Sequence, residues 1–236
     1  MIRTPSLALA GWLLFPAAMP AQSAFEGAVT MKITTPDGTG MTPIVHVKGG
    51  RSHMEMATGG MTMYQVVDLD KETMMMVMPA QRMYMTINMK DALAMAPPEQ
   101  VKRANAEVVI EPTGRKETIA GIECQVYHMS QPEEKTDADL CLARGMGTFL
   151  GFSGGASGRG APGGAGMPPA FQKLAKRFPD GAFVLKMVVR EGGQLRMTME
   201  VTRVEKKSVD ESMFAPPVGF QQMDMSGMTR RPPVKP

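Results

Sequence analysis

Residues 44–88 carry apolar side chains mostly at every second position. Short turn signals break this strand period at Gly49-Gly50, Gly59-Gly60, Asp70-Lys71 and Ala80-Gln81. Successive strand side chains point to opposite faces, so each turn decides which residues face one another. A slip by one residue would send every apolar group to the wrong side. Two-residue loops at these four points set Val45 against Met54, Met56 against Met63, Met63 against Met78, and Val67 against Met74. They also set Met78 against Met83 and Met76 against Met85. Four separate registers each match apolar with apolar, which chance would achieve about once in sixteen. One face then carries Val45, Val47, Met54, Met56, Met63, Val67, Leu69, Met74, Met76, Met78, Met83, Met85 and Ile87, with a rung of Met56, Met63, Met78 and Met83. Short strands with tight turns predict an antiparallel meander.

The rest of the chain extends this mainly β, α+β pattern. Residues 25–34 alternate as a half-buried strand and stop at the turn Pro36-Asp37-Gly38. Residues 107–112, 118–130 and 138–143 read as further strands. The spans 90–106, split by Pro97-Pro98, and 169–178 supply two or three short helices. Residues 183–190 and 195–204 form a last hairpin. A three-residue loop, Gly192-Gly193-Gln194, sets Met187 against Met199 and Leu185 against Val201; a two-residue loop would set Met187 against Thr198. Residues 151–168 hold eight Gly and read as a flexible loop, and residues 226–236 read as a disordered tail.

Lys plus Arg total 26 and Asp plus Glu 23, a net charge of +3. So even a balance argues against sequence-independent nucleic-acid binding, which needs clustered cations. Residues 1–23 have the order of a secretory signal: Arg3, an apolar run from Leu7 to Phe15, then small residues to Ser23. An apolar helix packed on the domain is the competing reading. A signal predicts one domain over residues 24–225, in the periplasm or secreted, with no transmembrane segment. In that compartment the two cysteines, Cys124 and Cys141, are expected to bond, because a hairpin closing near Glu133 sets them nearly opposite. The alternative is two buried thiols; a zinc site would need about four ligands and has no second cysteine pair.

Catalytic motifs are thin. Gly151-Phe152-Ser153-Gly154-Gly155 fits the serine-hydrolase elbow, but a glycine-rich stretch follows it and all three histidines precede it. No phosphate-binding or dinucleotide fingerprint is present. The Gly49-Gly50 register places His46 opposite His53, on the face away from the methionine rows and beside Glu55. Such a pair chelates a divalent metal or is simply solvated. Methionine fills 26 of 236 positions. Met223, Met225 and Met228 could hold a cuprous ion; the strand-period methionines read as pliable apolar surface or as an oxidant sink.

Several stretches carry a family resemblance: Phe25-Glu26-Gly27 with Met31-Lys32-Ile33, Gln81-Arg82-Met83-Tyr84-Met85, and Thr118-Ile119-Ala120-Gly121-Ile122-Glu123-Cys124. Met199-Glu200-Val201-Thr202 and the run from Phe214 to Met225 complete the set. Together they resemble the exported bacterial domain-of-unknown-function family 4412, similar at a distance to the outer-membrane lipoprotein carriers. The resemblance implies a curved antiparallel sheet, an open or half barrel wrapping helices, over most of the chain except residues 151–168. The family carries no established activity. With no cofactor motif, the sequence reads as a non-enzymatic binding or carrier protein for a lipid or other hydrophobic ligand. Val47, Met54, Met56, Met63, Val67, Met74, Met76, Met78, Met83 and Met85 form its ligand face. The alternative is soft-metal (copper) handling.

Overall fold

The structure, a computed structural model, describes residues 25–58, 61–89, 91, 101–102, 106–148, 174, 177–178 and 181–223. The predicted leader, the glycine-rich stretch with Ser153, Met225, Met228 and the tail lie outside these residues. Thirteen strands make one sheet in the order β13-β7-β6-β5-β4-β3-β1-β12-β11-β10-β9-β8, with β2 beside β1. They are β1 (Glu26–Thr34), β2 (Gly40–Met41), β3 (Ile44–Lys48), β4 (Arg51–Thr58), β5 (Met61–Asp68), β6 (Thr73–Met78) and β7 (Met83–Asn88). The others are β8 (Val109–Ile119), β9 (Ile122–Gln131), β10 (Thr136–Ala143), β11 (Phe183–Glu191), β12 (Gln194–Lys206) and β13 (Gln221–Gln222). Every ladder is antiparallel except β13 on β7. The sheet ends at β13 and β8 and stays open. It is rolled at one end: β8 reaches within 8 Å of β12, where four flat strand spacings would place it about 19 Å away.

The expected registers hold. Val45 pairs with Met54, Met56 with Met63, Val67 with Met74, Met78 with Met83 and Met76 with Met85. Two loops are longer than the sequence suggests. Residues 69–72 and 79–82 each span four positions, and Leu69 belongs to the turn rather than to the strand face. Both loops end on a left-handed residue, Glu72 and Arg82, as does the loop 132–135 at Lys135. Four-residue loops preserve the parity of two-residue ones, which is why the simple registers survive.

Three expectations need correction. The last hairpin closes on a two-residue turn, with Glu191 opposite Gln194 and both Gly192 and Gly193 left-handed. Its extra residue sits further along, between Val189↔Met197 and Arg190↔Leu195, and this bulge brings Met187 to Met199. The stretch 118–130 is not one strand: Ala120 and Gly121, both at positive φ, turn the chain from β8 into β9. The regular helical elements among the described residues are three short 3-10 turns, Pro79–Gln81, Pro132–Glu134 and Glu211–Phe214. The helices expected over 90–106 and 169–178 fall largely outside the described residues; isolated helical positions occur at Met89, Asp91, Val101, Lys102, Leu174 and Arg177.

The main core gathers side chains from both halves of the sheet. Val29, Met31, Leu140, Leu174, Phe183, Leu185 and Met199 are completely buried. Within it Cys124 of β9 and Cys141 of β10 form a disulfide with Cα atoms 5.3 Å apart. Cys141 pairs directly with Val126, so the bonded cysteines are diagonal rather than facing neighbours. Loop-closure entropy assigns this bond about 3 kcal/mol. Urea unfolding of the Cys124→Ala/Cys141→Ala protein is expected to read a loss of that size without a change of fold. Gly27 yields a second expectation. A Cβ there would run into the Glu205 carbonyl oxygen and lie 2.8 Å from the Phe25 ring. The carbonyl is fixed in the β1–β12 ladder, so Gly27→Ala should cost about 1–3 kcal/mol in the same assay.

Candidate functional site

Strands β3 to β7 form a wing that presents two apolar faces. On the first, Val47, Met54 and Met74 are buried at 1, 8 and 4% exposure, Val47 and Met54 within the main core, and Met56 packs against it. Met63, Val67, Met76, Met78, Met83 and Met85 are half-buried. Of the expected rung, Met56 pairs with Met63 and Met78 with Met83, while the β5–β6 ladder ends at Tyr64↔Val77, one step short of Met63 and Met78. The result is a continuous face of thioether and branched alkyl groups, sealed toward β3 and partly open toward β7. Unbranched thioethers repack around varied shapes at low cost. Polarity enters the rows at Ser52, opposite Val47 and Val67, and at Gln65, 6% exposed and opposite both Met54 and Met76. The burial of Gln65 was not readable from the strand period, in which it simply interrupts the apolar rows.

The second face has its own small core. Val66, Met75 and Val77 are buried there, with Tyr64, Tyr84, Phe214 and Phe220 packed on them. The two phenylalanines arrive from a C-terminal strap, residues 207–223, which crosses this face and joins the β7 edge. Gln221 and Met223 donate their backbone N–H groups to the Arg82 and Tyr84 carbonyls, at 2.9 and 2.7 Å. Ion pairs fasten the other end. Glu211 accepts two hydrogen bonds from Arg51, at 2.7 and 3.2 Å, and pairs with Lys48 at 3.1 Å. Lys48 also reaches Glu26 and the Val209 carbonyl, and the Arg51 guanidinium lies 4.7 Å from the Phe214 ring centre. Hydrogen bonds from Arg51, then Lys48, hold the Glu211 carboxyl at about 2. Asp210 starts the 3-10 turn by accepting from the Ser212 N–H at 2.8 Å.

Under this strap lie the two predicted histidines, paired as expected. Their ring centres are 6.2 Å apart. His53 is 5% exposed and stacks on Tyr64 at 4.6 Å. Its Nδ1 lies 2.7 Å from the Met213 carbonyl, which can only accept, so Nδ1 carries a proton. Among the described residues, Nε2 is buried without a hydrogen bond, 3.8 Å from a Glu55 oxygen, and His46 Nδ1 is likewise buried and unpartnered. Burial, then Lys207 and His53, lower the pKa of His46. The pair is therefore packed rather than freely solvated, with His53 buried and His46 half-buried. Among the described residues no three His, Cys, Asp or Glu side chains are arranged to hold a metal ion. Of the tail methionines, Met223 serves through its backbone in the strap.

A separate polar network ties β8 to β11 on the rolled half. Asp139 meets His128 at 3.0 Å, Arg190 at 3.4 Å and Arg115 at 3.5 Å. Every member has an opposite charge at hand, which makes the group a structural clamp.

Comparison with known proteins adds a family and distant likenesses. PNGF-II aligns at 15% identity over 85% of this chain and 31% of its own, TM-score 0.46, so the chain spans about a third of it. An uncharacterized conserved protein from Thermus thermophilus aligns at 8% identity, covering 84% of this chain and 90% of its own, TM-score 0.46. The LolA superfamily protein NE2245 from Nitrosomonas europaea aligns at 12% identity, covering 84% and 91%, TM-score 0.33. No curated protein matches. No helix among the described residues is long and apolar enough to cross a membrane. The family described as "Domain of unknown function (DUF4412)" matches residues 25–220, nearly the whole described sheet and its strap, and the chain belongs to that family.

Proposed function

We propose that the protein is a non-enzymatic binding or carrier protein, acting in the periplasm or after secretion. Its Met-lined face would receive a lipid or another hydrophobic small molecule. The observation that carries this reading is the asymmetry of the wing. Its back face is covered by a dedicated strap, whereas the Met63, Met78, Met83 and Met85 region remains half-exposed. A contiguous apolar surface left partly open on a wing that can be sealed is the usual mark of a binding surface. Methionine supports an ill-defined alkyl ligand, because its side chain adapts in shape. Gln65 offers such a ligand one hydrogen-bonding point within the apolar rows. The secretory order of residues 1–23 supports the location, and the disulfide suits an oxidising compartment.

The test is a paired titration with a fluorescent fatty-acid probe and with Cu(I). Met56, Met63, Met78 and Met83 changed together to Leu should retain the probe, each volume-conserving swap costing under about 1.5 kcal/mol. Met63→Glu with Met78→Glu should abolish probe binding, because an unpaired carboxylate would face the alkyl chain. Met223, Met225 and Met228 changed to Leu should leave it unaltered. If the Leu set loses the probe as badly as the Glu pair, sulfur matters rather than apolar volume, and the copper alternative takes precedence.

A further inference from the structure

We propose that the C-terminal strap is an acid-released latch. Protonation of His46 detaches residues 207–223 from the back of β3–β7 and uncovers the apolar cluster of Val66, Met75 and Val77.

The groups facing the histidine pair can be counted element by element. From the strap come Lys207 and the Met213 carbonyl; from β4, Glu55; from β5, Tyr64. These surroundings treat the two rings unequally. His53 Nδ1 is bonded to the Met213 carbonyl, and its Nε2 lies 3.8 Å from a Glu55 oxygen. A proton on His46 Nδ1 has no acceptor among the described residues: the atom is buried without a hydrogen-bond partner, and Lys207 and His53 add positive potential that outweighs the attraction of the Glu55 carboxylate. A buried N–H without an acceptor beside a like charge drives the covering segment away.

The ionic end of the strap does not blur this trigger. Glu211 is held at about 2 by Arg51 and Lys48. Glu26 is lowered by the Val209 N–H and Lys48, and Asp210 by Ser212. These three carboxylates stay ionised as the pH falls from 7 to 5. His46 ordinarily titrates at 6.5 and is depressed under the strap, so the closed form binds fewer protons than the released one. Closure is complete above pH 6.5 and weakens below it, by up to about tenfold in the closed-to-released ratio per pH unit.

Release has a second effect on the same wing. Gln221 and Met223 hold the free edge of β7, the strand that carries Met83 and Met85 of the ligand face. Loss of the strap bares that edge, so acid would reach the ligand face through it; this extension alone rests on the proposed carrier function.

The test is hydrogen exchange on the full chain at pH 7.5 and 5.0, corrected for the intrinsic pH dependence of exchange, with probe binding measured in parallel. Protection of the Gln221 and Met223 amides should fall at least tenfold at pH 5.0, while amides of β9 and β10 keep theirs. His46→Leu should keep strap protection equal at the two pH values; His46→Asn, equally unable to charge, serves if the leucine variant does not fold. Arg51→Met, which loosens the ionic end, should lower strap protection at both pH values alike. Unchanged wild-type protection at pH 5.0 overturns the latch, as does a His46 variant that loses protection like the wild type. A strap that releases in a protein that never takes up the fatty-acid probe leaves the latch standing and removes the carrier reading.

Discussion

The pairing of β1 with β12 is the contact on which the rest of the molecule depends. It joins residues about 170 positions apart, from Gly27↔Lys206 to Thr34↔Thr198, and it is the one ladder that unites the two meanders into a single sheet. Val29 and Met31 on one strand and Met199 and Val201 on the other are almost wholly buried. The main core therefore forms where the two halves of the chain meet. Gly27 is small because the strands must approach closely there, beneath the Phe25 ring.

The two halves use their apolar faces differently. From β8 to β12 the sheet rolls, carries the disulfide and encloses its side chains. From β3 to β7 it projects as a wing with apolar residues on both sides. Such a wing is unstable in water unless each face is covered or has a use. The strap meets that need on one side with two phenylalanines and an ionic clasp. The methionine side is covered only in part: Met54 and Met74 are buried, while Met56, Met63, Met76, Met78, Met83 and Met85 stay half-buried.

Much of this was written in the strand period, and the reasons for the exceptions are physical. The registers at Gly49-Gly50 and Asp70-Lys71 were legible because parity, not loop length, decides which residues meet. The last hairpin was legible in its outcome but not its cause, since a bulge inside a strand leaves no more trace in sequence than a longer loop. The uninterrupted apolar run Met74–Met78 was a readable sign of a strand buried on both faces, yet the alternation of its neighbours drew attention to one face. The opposition of His46 and His53 followed from register. The burial of His53 could not, because its cover comes from Met213, 160 residues later. The strap itself has no periodicity: Phe214 and Phe220 stand on either side of Pro216-Pro217 and read as isolated apolar residues.

Placing both the closing strand and the strap at the end of the chain also orders events in time. A chain that emerges from its N-terminus cannot finish the wing as it goes. β1 lacks one neighbour, and the back of β5–β7 stays uncovered, until nearly all of the sequence is available. Contacts of such long range form slowly, because the intervening chain must first be closed into a loop. In the interval the methionine-rich strands present unpaired edges and two bare apolar faces, the condition most prone to mispairing with another copy. Methionine is well chosen for that interval. It has less β-propensity than the branched residues that would otherwise fill such strands, and an unfinished Met-rich edge is accordingly a weaker template for a foreign strand than a valine or isoleucine edge.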